Sequence, residues 1–134
     1  MDYELMTAPC GLDCFNCVAY LAKDDLDIRK DYSEKTGIPL DNAFCKGCRP
    51  EKGLACHVEC HVYPCAEKKG IKFCIDCKEF PCDYFQPYAD KANIVPHNTK
   101  VFNLCLIKKM GIKAWAEKKA KEVKDTYFSK KWEL

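Results

Sequence analysis

No apolar run in this sequence approaches the ~18 residues that a membrane-spanning helix needs. Nor does it offer a candidate Ser–His–Asp set, a glycine-rich phosphate loop or a paired acid cluster, so hydrolytic, nucleotide-binding and general acid–base chemistry go unannounced. Ordinary core residues are also scarce. Leu, Ile, Val and Phe make up about 22% of the 134 residues, close to the ~20% level at which disorder becomes a risk. The 48% apolar content includes twelve cysteines, and without them it falls to about 39%, below the usual ~45–50%. Such a core is thin for a domain of this size. Something other than apolar burial must hold the fold.

Cysteine is what the chain has instead. A share of about 9% lies in the range that marks a disulfide scaffold in a short secreted protein, ~8–10%. However, the opening Met1-Asp2-Tyr3-Glu4-Leu5 has neither a basic nor an apolar region and does not read as a signal peptide. A cytoplasmic protein is therefore expected, and in a reducing compartment closely spaced thiols are metal ligands more often than disulfides. Net charge is +2 but uneven: residues 108–134 carry nine Lys against four acids. A basic tail can attract nucleic acid, membrane or an acidic partner. Here the mixed signs at helical spacing read better as a solvated helix face, so nucleic acid and membrane are not expected as partners. A protein partner and the oligomeric state are left open.

Along the chain, Cys14 to Lys23 reads as a short helix. Asp24-Asp25 reads as an N-cap for a second helix carrying Leu26, Ile28 and Tyr32, stopped by Gly37 and Pro39. From Asn42 to Pro87 neither helical nor strand periodicity persists, a stretch too long for an unclamped loop. Past Pro96, Thr99 can cap a helix carrying Val101, Phe102, Cys105, Leu106 and Ile107, broken at Gly111. A further helix then presents Ile112, Trp115, Ala116, Val123 and Tyr127 on one face and Lys on the other.

Eleven cysteines fall into three groups: Cys10, Cys14 and Cys17; Cys45 and Cys48; and Cys56, Cys60, Cys65, Cys74, Cys77 and Cys82. Two residues between cysteines suit a tight turn that aims both sulfurs at one ion, and tetrahedral Zn²⁺, with Zn–S bonds of ~2.3 Å, commonly draws on two such pairs. Gly47 removes a Cβ where the Cys45–Cys48 turn must curl. Phe-Cys-x-x-Cys recurs at Phe44 and Phe73, and aromatic-Pro-Cys at Tyr63 and Phe80. All eleven are candidate metal ligands, sufficient for two or three Zn²⁺. Eight ligands would fill two tetrahedral sites, and the eleven thiols plus either His57 or His61, interleaved with Cys56 and Cys60, would make the twelve that fill three. Cys105, alone on an apolar helix face, reads as a core thiol, and His97 as a surface or capping residue.

Three look-alikes fail. Cys10-x3-Cys14-x2-Cys17 has the spacing of the radical-SAM triad, but 134 residues without strand–helix alternation cannot build the barrel that chemistry uses. His57-Val58-Glu59-Cys60-His61 places its Glu one residue late for a zincin helix. Cys56-x3-Cys60-His61 is one residue too long for c-type haem attachment. An iron–sulfur cluster remains the alternative cofactor. Zinc is favoured because Pro9, Pro64 and Pro81 precede cysteines, whereas ferredoxin runs place Pro after the last one.

These residues carry a resemblance. Cys10-Gly11-Leu12-Asp13-Cys14-Phe15-Asn16-Cys17-Val18-Ala19-Tyr20, then Cys45-Lys46-Gly47-Cys48, Cys60 to Cys65, and Phe73-Cys74-Ile75-Asp76-Cys77-Lys78-Glu79-Phe80-Pro81-Cys82 resemble the prokaryotic cysteine-rich family called domain of unknown function 3795. The resemblance spans about residues 8–85 and implies zinc binding without a reaction. One spacing departs from the family pattern: three residues, not two, separate Cys56 from Cys60, which makes Cys56 the least secure ligand.

The expectation is a single domain over 1–134: a small metal-stabilised, cysteine-rich fold with α-helices at both ends around irregular zinc-knuckle-like loops. Its cysteine-rich body would span about 8–85 and its helical part about 98–132. The expected role is that of a zinc-built structural or interaction module rather than an enzyme. The alternative is an iron–sulfur or thiol-based redox, electron-transfer or sensor protein.

Overall fold

The computed structural model describes residues 1–54 and 59–133. Among them the regular structure is helical, and the nearest approach to a sheet is an isolated bridge between Thr7 and Asp13. The six α-helices are α1 (Val18–Leu21), α2 (Leu26–Thr36), α3 (Val62–Lys68), α4 (Lys100–Met110), α5 (Ile112–Lys118) and α6 (Ala120–Ser129).

The helix expected over Cys14–Lys23 is split. A 3-10 turn, Cys14–Asn16, comes first, Cys17 is extended, and only then does α1 begin. The extended residue is what separates two thiols that a continuous helix would stack along one face. The α2 boundaries follow the sequence signals. The Asp25 carboxylate accepts from the N–H groups of Asp27 and Ile28 at 2.9 and 3.1 Å, and Gly37 closes the helix in the left-handed conformation. This helix buries none of its side chains. It is tethered by Arg29, which donates to the carbonyls of Ala22 and Lys23 and lies over the Phe44 ring.

Inside the stretch expected to be irregular sits α3. Its Val62 and Ala66 face inward, and Pro64 falls in the first turn, where its missing N–H has no helical partner to lose. After Pro96 the order of helices is as expected but their faces and breaks differ. The expected single helix from Ile112 is two, because the backbone departs from helical geometry at Lys119. Thr99 does not cap α4; its hydroxyl donates to the Pro96 carbonyl at 2.7 Å. On α4 the buried residues are Asn103, Leu104 and Ile107, while Phe102 and Cys105 are exposed. Cys105 is thus not a core thiol. Its place inward is taken by Asn103, whose side-chain oxygen accepts from the Trp115 indole N–H at 3.3 Å. A buried indole needs that acceptor, so a polar residue sets the inner face of α4. His97 is likewise buried rather than at the surface, stacked on Tyr88 at 4.1 Å with Nε2 3.1 Å from the Tyr88 carbonyl.

Two apolar clusters result. One is built around Ala8, Val62, Phe73, Phe85 and Leu104 together with Cys10, Cys48 and Cys74. The other gathers Met6, Phe15, Ile107 and Ala116 about Trp115, which is fully buried. Leu104 from α4 in the first and Phe15 from the body in the second lock the helices to the cysteine-rich part.

Candidate metal centre

The loop that carries Cys10 is a narrow turn between the bridged residues Thr7 and Asp13. Ala8 N–H bonds the Leu12 carbonyl and Cys14 N–H the Met6 carbonyl, at 2.9 and 3.1 Å. Gly11 at its tip has φ +88°, and a Cβ there would come within 2.9 Å of Leu104 and 3.0 Å of the Lys100 carbonyl. Only glycine lets the turn press against α4 while Cys10 points inward. Gly47 has the same role in the Cys45–Cys48 turn, with φ +107° and the Met6 terminal methyl 2.9 Å from where a Cβ would lie.

Two cysteine pairs share one backbone form. Cys14–Asn16 and Cys74–Asp76 are 3-10 turns, each followed by an extended cysteine: Cys17 at φ −76°, ψ 134°, and Cys77 at φ −76°, ψ 137°. In each, the second cysteine donates its N–H to the carbonyl of the first, at 2.9 and 3.0 Å. Sequence repetition pointed to Cys45–Cys48 as the partner of Cys74–Cys77; by geometry its counterpart is Cys14–Cys17.

Cys10, Cys14, Cys17, Cys45, Cys48 and Cys60 make a first group of electrostatic neighbours: Cys10, Cys17 and Cys45 act on Cys14, and Cys60 acts on Cys10 and Cys48. Cys10, Cys45 and Cys48 are buried. Burial pushes the Cys14 thiol up to about 12, with Cys17, Cys10 and Cys45 adding to the rise as potential neighbouring anions. Cys10 and Cys48 are raised for the same leading reason, burial, and each has Cys60 as a further anionic neighbour. Backbone N–H groups already point at these sulfurs: Gly47 at Cys45 (3.1 Å), Cys48 at Cys14 (3.4 Å) and Tyr63 at Cys60 (3.5 Å). Such donors favour the thiolate, the form that binds metal.

The second group is Cys65, Cys74, Cys77 and Cys82, which line one small cavity with Val62, Ala66, Phe80 and Phe85. Burial lifts the Cys74 thiol to about 12, and thiolates at Cys10, Cys82, Cys65 and Cys77 would raise it further. Cys74 also joins the two groups, since its N–H donates to the Pro9 carbonyl at 2.9 Å. Lys69 Nζ stands 3.5 Å from Cys77 Sγ and pairs with Glu79.

None of the eleven described cysteines forms a disulfide. Equally, among the described residues no group of three or more Cys, His, Asp or Glu side chains is placed so that it could hold a metal ion. The donor set still fits a thiophilic cation. Burial keeps the thiols of Cys10, Cys14, Cys48 and Cys74 protonated, and positive charge among them would favour their anionic form. Cys105 stands apart on the exposed side of α4. Cys56 and His57 lie outside the described residues. His61 is exposed and stacks on Tyr84 at 5.9 Å.

Two positioning residues escape a reading of cysteine spacing. Arg49, next to Cys48, donates to the carbonyls of Thr7 and Lys72 at 2.8 and 2.5 Å and lies over the Phe73 ring. It staples together the segments that deliver Cys10, Cys48 and Cys74. Lys69, one helical turn after Cys65, brings a cation to the second group. A basic residue one step or one turn from a cysteine was the only available signal for either.

The profile of a family described as a protein of unknown function, DUF3795, matches residues 6–87. The chain belongs to this family. The match covers both cysteine groups and ends before α4 begins. No curated protein and no solved structure matches the chain.

Proposed function

We propose that this DUF3795 protein is a zinc-built structural or interaction module, one cytosolic domain whose cysteine-rich body is held by two or three Zn²⁺. The observation that carries this reading is the cavity that Cys65, Cys74, Cys77 and Cys82 line together, with backbone N–H donors at Cys14, Cys45 and Cys60 and Lys69 at Cys77. Zn²⁺ suits thiolate pairs on tight turns, has no redox chemistry and supplies folding free energy when bound. The ligands would be drawn from the six thiols of the first group and the four of the second.

The Lys-rich helices fit a partner-facing or solvated surface better than a phosphate-binding one. Lys119 pairs with Glu122, Lys121 with Asp125 and Lys108 with Asp76, so three of the nine lysines of residues 108–134 are already paired with acids. Among the described residues no helix is long and apolar enough to cross a membrane.

The first group has six thiols where one tetrahedral ion takes four, and this keeps a second reading in play: an iron–sulfur or thiol-based redox sensor. Protein prepared without oxygen decides between them. The zinc module should be colourless, contain two or three zinc per chain and show no spectral change with dithionite. A brown preparation that bleaches on reduction, with iron and sulfide in near-equal amounts, would make it an iron–sulfur protein.

A further inference from the structure

Helix α2, 11 residues long, buries none of its side chains, although helices shorter than ~12–15 residues are marginal in water without packing. Arg29 turns back to the carbonyls of Ala22 and Lys23, while Leu26 stays 54% exposed. Val18 and Leu21, one turn apart on α1, are exposed as well. The Leu21 carbonyl accepts from the N–H groups of Asp24 and Asp25, both at 3.2 Å, which keeps Leu21 and Leu26 at one corner of the molecule. That corner is acidic: residues 24–34 carry five acids against Arg29 and Lys30.

A second uncovered stretch has the opposite sign. Helix α6 passes the segment that leads into α1, where Lys124 donates to the Asn16 carbonyl. Phe128, one turn beyond Lys124 on the same side of α6, is exposed. Past the helix the chain is extended at Lys130, and Trp132 is 87% exposed. Residues 126–132 hold two Lys and no acid. An indole that open is not held by its own chain, and Trp is prominent among the residues that anchor interfaces.

We propose that a second copy of this chain covers both stretches: residues 128–132 of each copy lie on the α1–α2 corner of the other, in a two-fold dimer. The proposal rests on the interaction-module reading, for which it names the partner, and none of its contacts involves a cysteine. A surface with an acidic apolar end and a basic apolar end is self-complementary under a two-fold rotation, because each end then meets its opposite. A nucleic acid or an anionic membrane would attract Lys130 and Lys131 but leave Val18, Leu21 and Leu26 uncovered among acids. A second copy satisfies both ends.

The test is sedimentation velocity on the full chain, prepared without oxygen, from low to high micromolar concentration. A monomer–dimer equilibrium is expected, weakened by added salt because part of the attraction is between exposed charges. Trp132→Ala should raise the dissociation constant on the order of tenfold, as loss of an interface anchor does. Charge reversal gives the sharper readout, at residues exposed enough to leave the fold intact. One variant combines Lys130→Glu with Lys131→Glu, and another Asp27→Lys with Asp31→Lys. Each should be monomeric alone and the two should dimerise when mixed, since an acidic segment then meets a basic corner and a basic segment an acidic one. A chain that holds zinc yet stays monomeric throughout overturns the dimer and leaves the zinc module standing. A dimer that none of these variants weakens, or reversed chains that do not pair on mixing, overturns it as well. So does binding of the monomer to anionic vesicles or duplex DNA through Lys130 and Lys131 without self-association. A dimer that follows the variants in a chain holding no zinc upholds the proposal and removes the zinc reading instead.

Discussion

Residues 6–85 and residues 97–129 reach burial by different routes. The helical part does so conventionally: Trp115 is fully enclosed, its indole N–H is met by Asn103, and Ile107, Ala116 and Ala120 pack around it. The cysteine-rich body has few side chains of that size inside. Its buried set is dominated by alanines and cysteines, with Phe73 and Phe85 the largest members of its cluster. Its chain path is fixed by backbone hydrogen bonds across short turns, by glycines at close approaches and by Arg49 reaching three segments. The difference teaches where each part draws its stability. One part has a core built on a large side chain, and the other has a core of small residues and thiols that, on the function proposed above, a metal ion completes.

Metal removal should therefore act on the two parts unequally, and its effect should be the largest of any single perturbation. A structural zinc contributes ~10–16 kcal/mol in small zinc-binding peptides, more than a typical domain's whole margin of ~5–15 kcal/mol. A strong chelator at neutral pH should abolish the cooperative melting transition seen by near-UV circular dichroism, while helical signal from α4–α6 falls less than proportionally. Acid should do the same. Burial holds the thiols of Cys14 and Cys74 near 12, so at neutral pH a metal ion would have to displace their protons, and lower pH favours the protonated, metal-free chain. Stability conferred by metal is thus present near neutrality and lost as pH falls. An unchanged melting curve after verified metal loss would show that the body has a core after all.

The converse perturbation strikes the helical part. Trp115→Ala removes the largest fully buried side chain and should cost ~3–5 kcal/mol, read as a lowered denaturation midpoint. Metal content per folded chain should stay the same, because the cysteine groups lie in the body and take no ligand from α5. A drop in bound zinc would mean that the helices are needed to bring the cysteines together, and the contrast between the parts would collapse.

Much of this was legible in the sequence, for identifiable reasons. The α2 caps at Asp25 and Gly37, the break at Gly111 and the inward Trp115 follow from local rules of backbone and burial. The family was legible because its motifs are chains of cysteines at fixed spacing. What was lost depends on contacts distant in sequence. Cys17 and Cys77 turn extended after short 3-10 turns, which helical periodicity does not register. The inner face of α4 is set by the need of an indole twelve residues away, so ranking residues by apolarity put Cys105 inside and Asn103 outside. His97 is buried because Tyr88 stacks on it, a pairing that no spacing rule announces. How cysteines group could not be read at all, since Cys74 has neighbours on both sides in space.

The smallest expected effect belongs to Cys105, and it sharpens the same contrast. Twelve cysteines look equivalent in composition, yet this one lies beyond both groups, on the exposed side of a helix whose packing is done by Asn103, Leu104 and Ile107. Cys105→Ser exchanges one small exposed side chain for another. It should change stability by no more than ~0.5 kcal/mol, the usual range for surface substitutions away from special features. Zinc stoichiometry should be unaffected, since no sulfur of either group depends on it. The comparison variant is Cys77→Ser, where a hydroxyl, a poor zinc ligand, replaces a thiol on the cavity wall and one metal equivalent should go. Melting temperature and elemental analysis on the two variants side by side separate the cases. If Cys105→Ser loses metal as Cys77→Ser does, α4 contributes a ligand, and the boundary between a ligand-built body and a core-built helical part has been drawn in the wrong place.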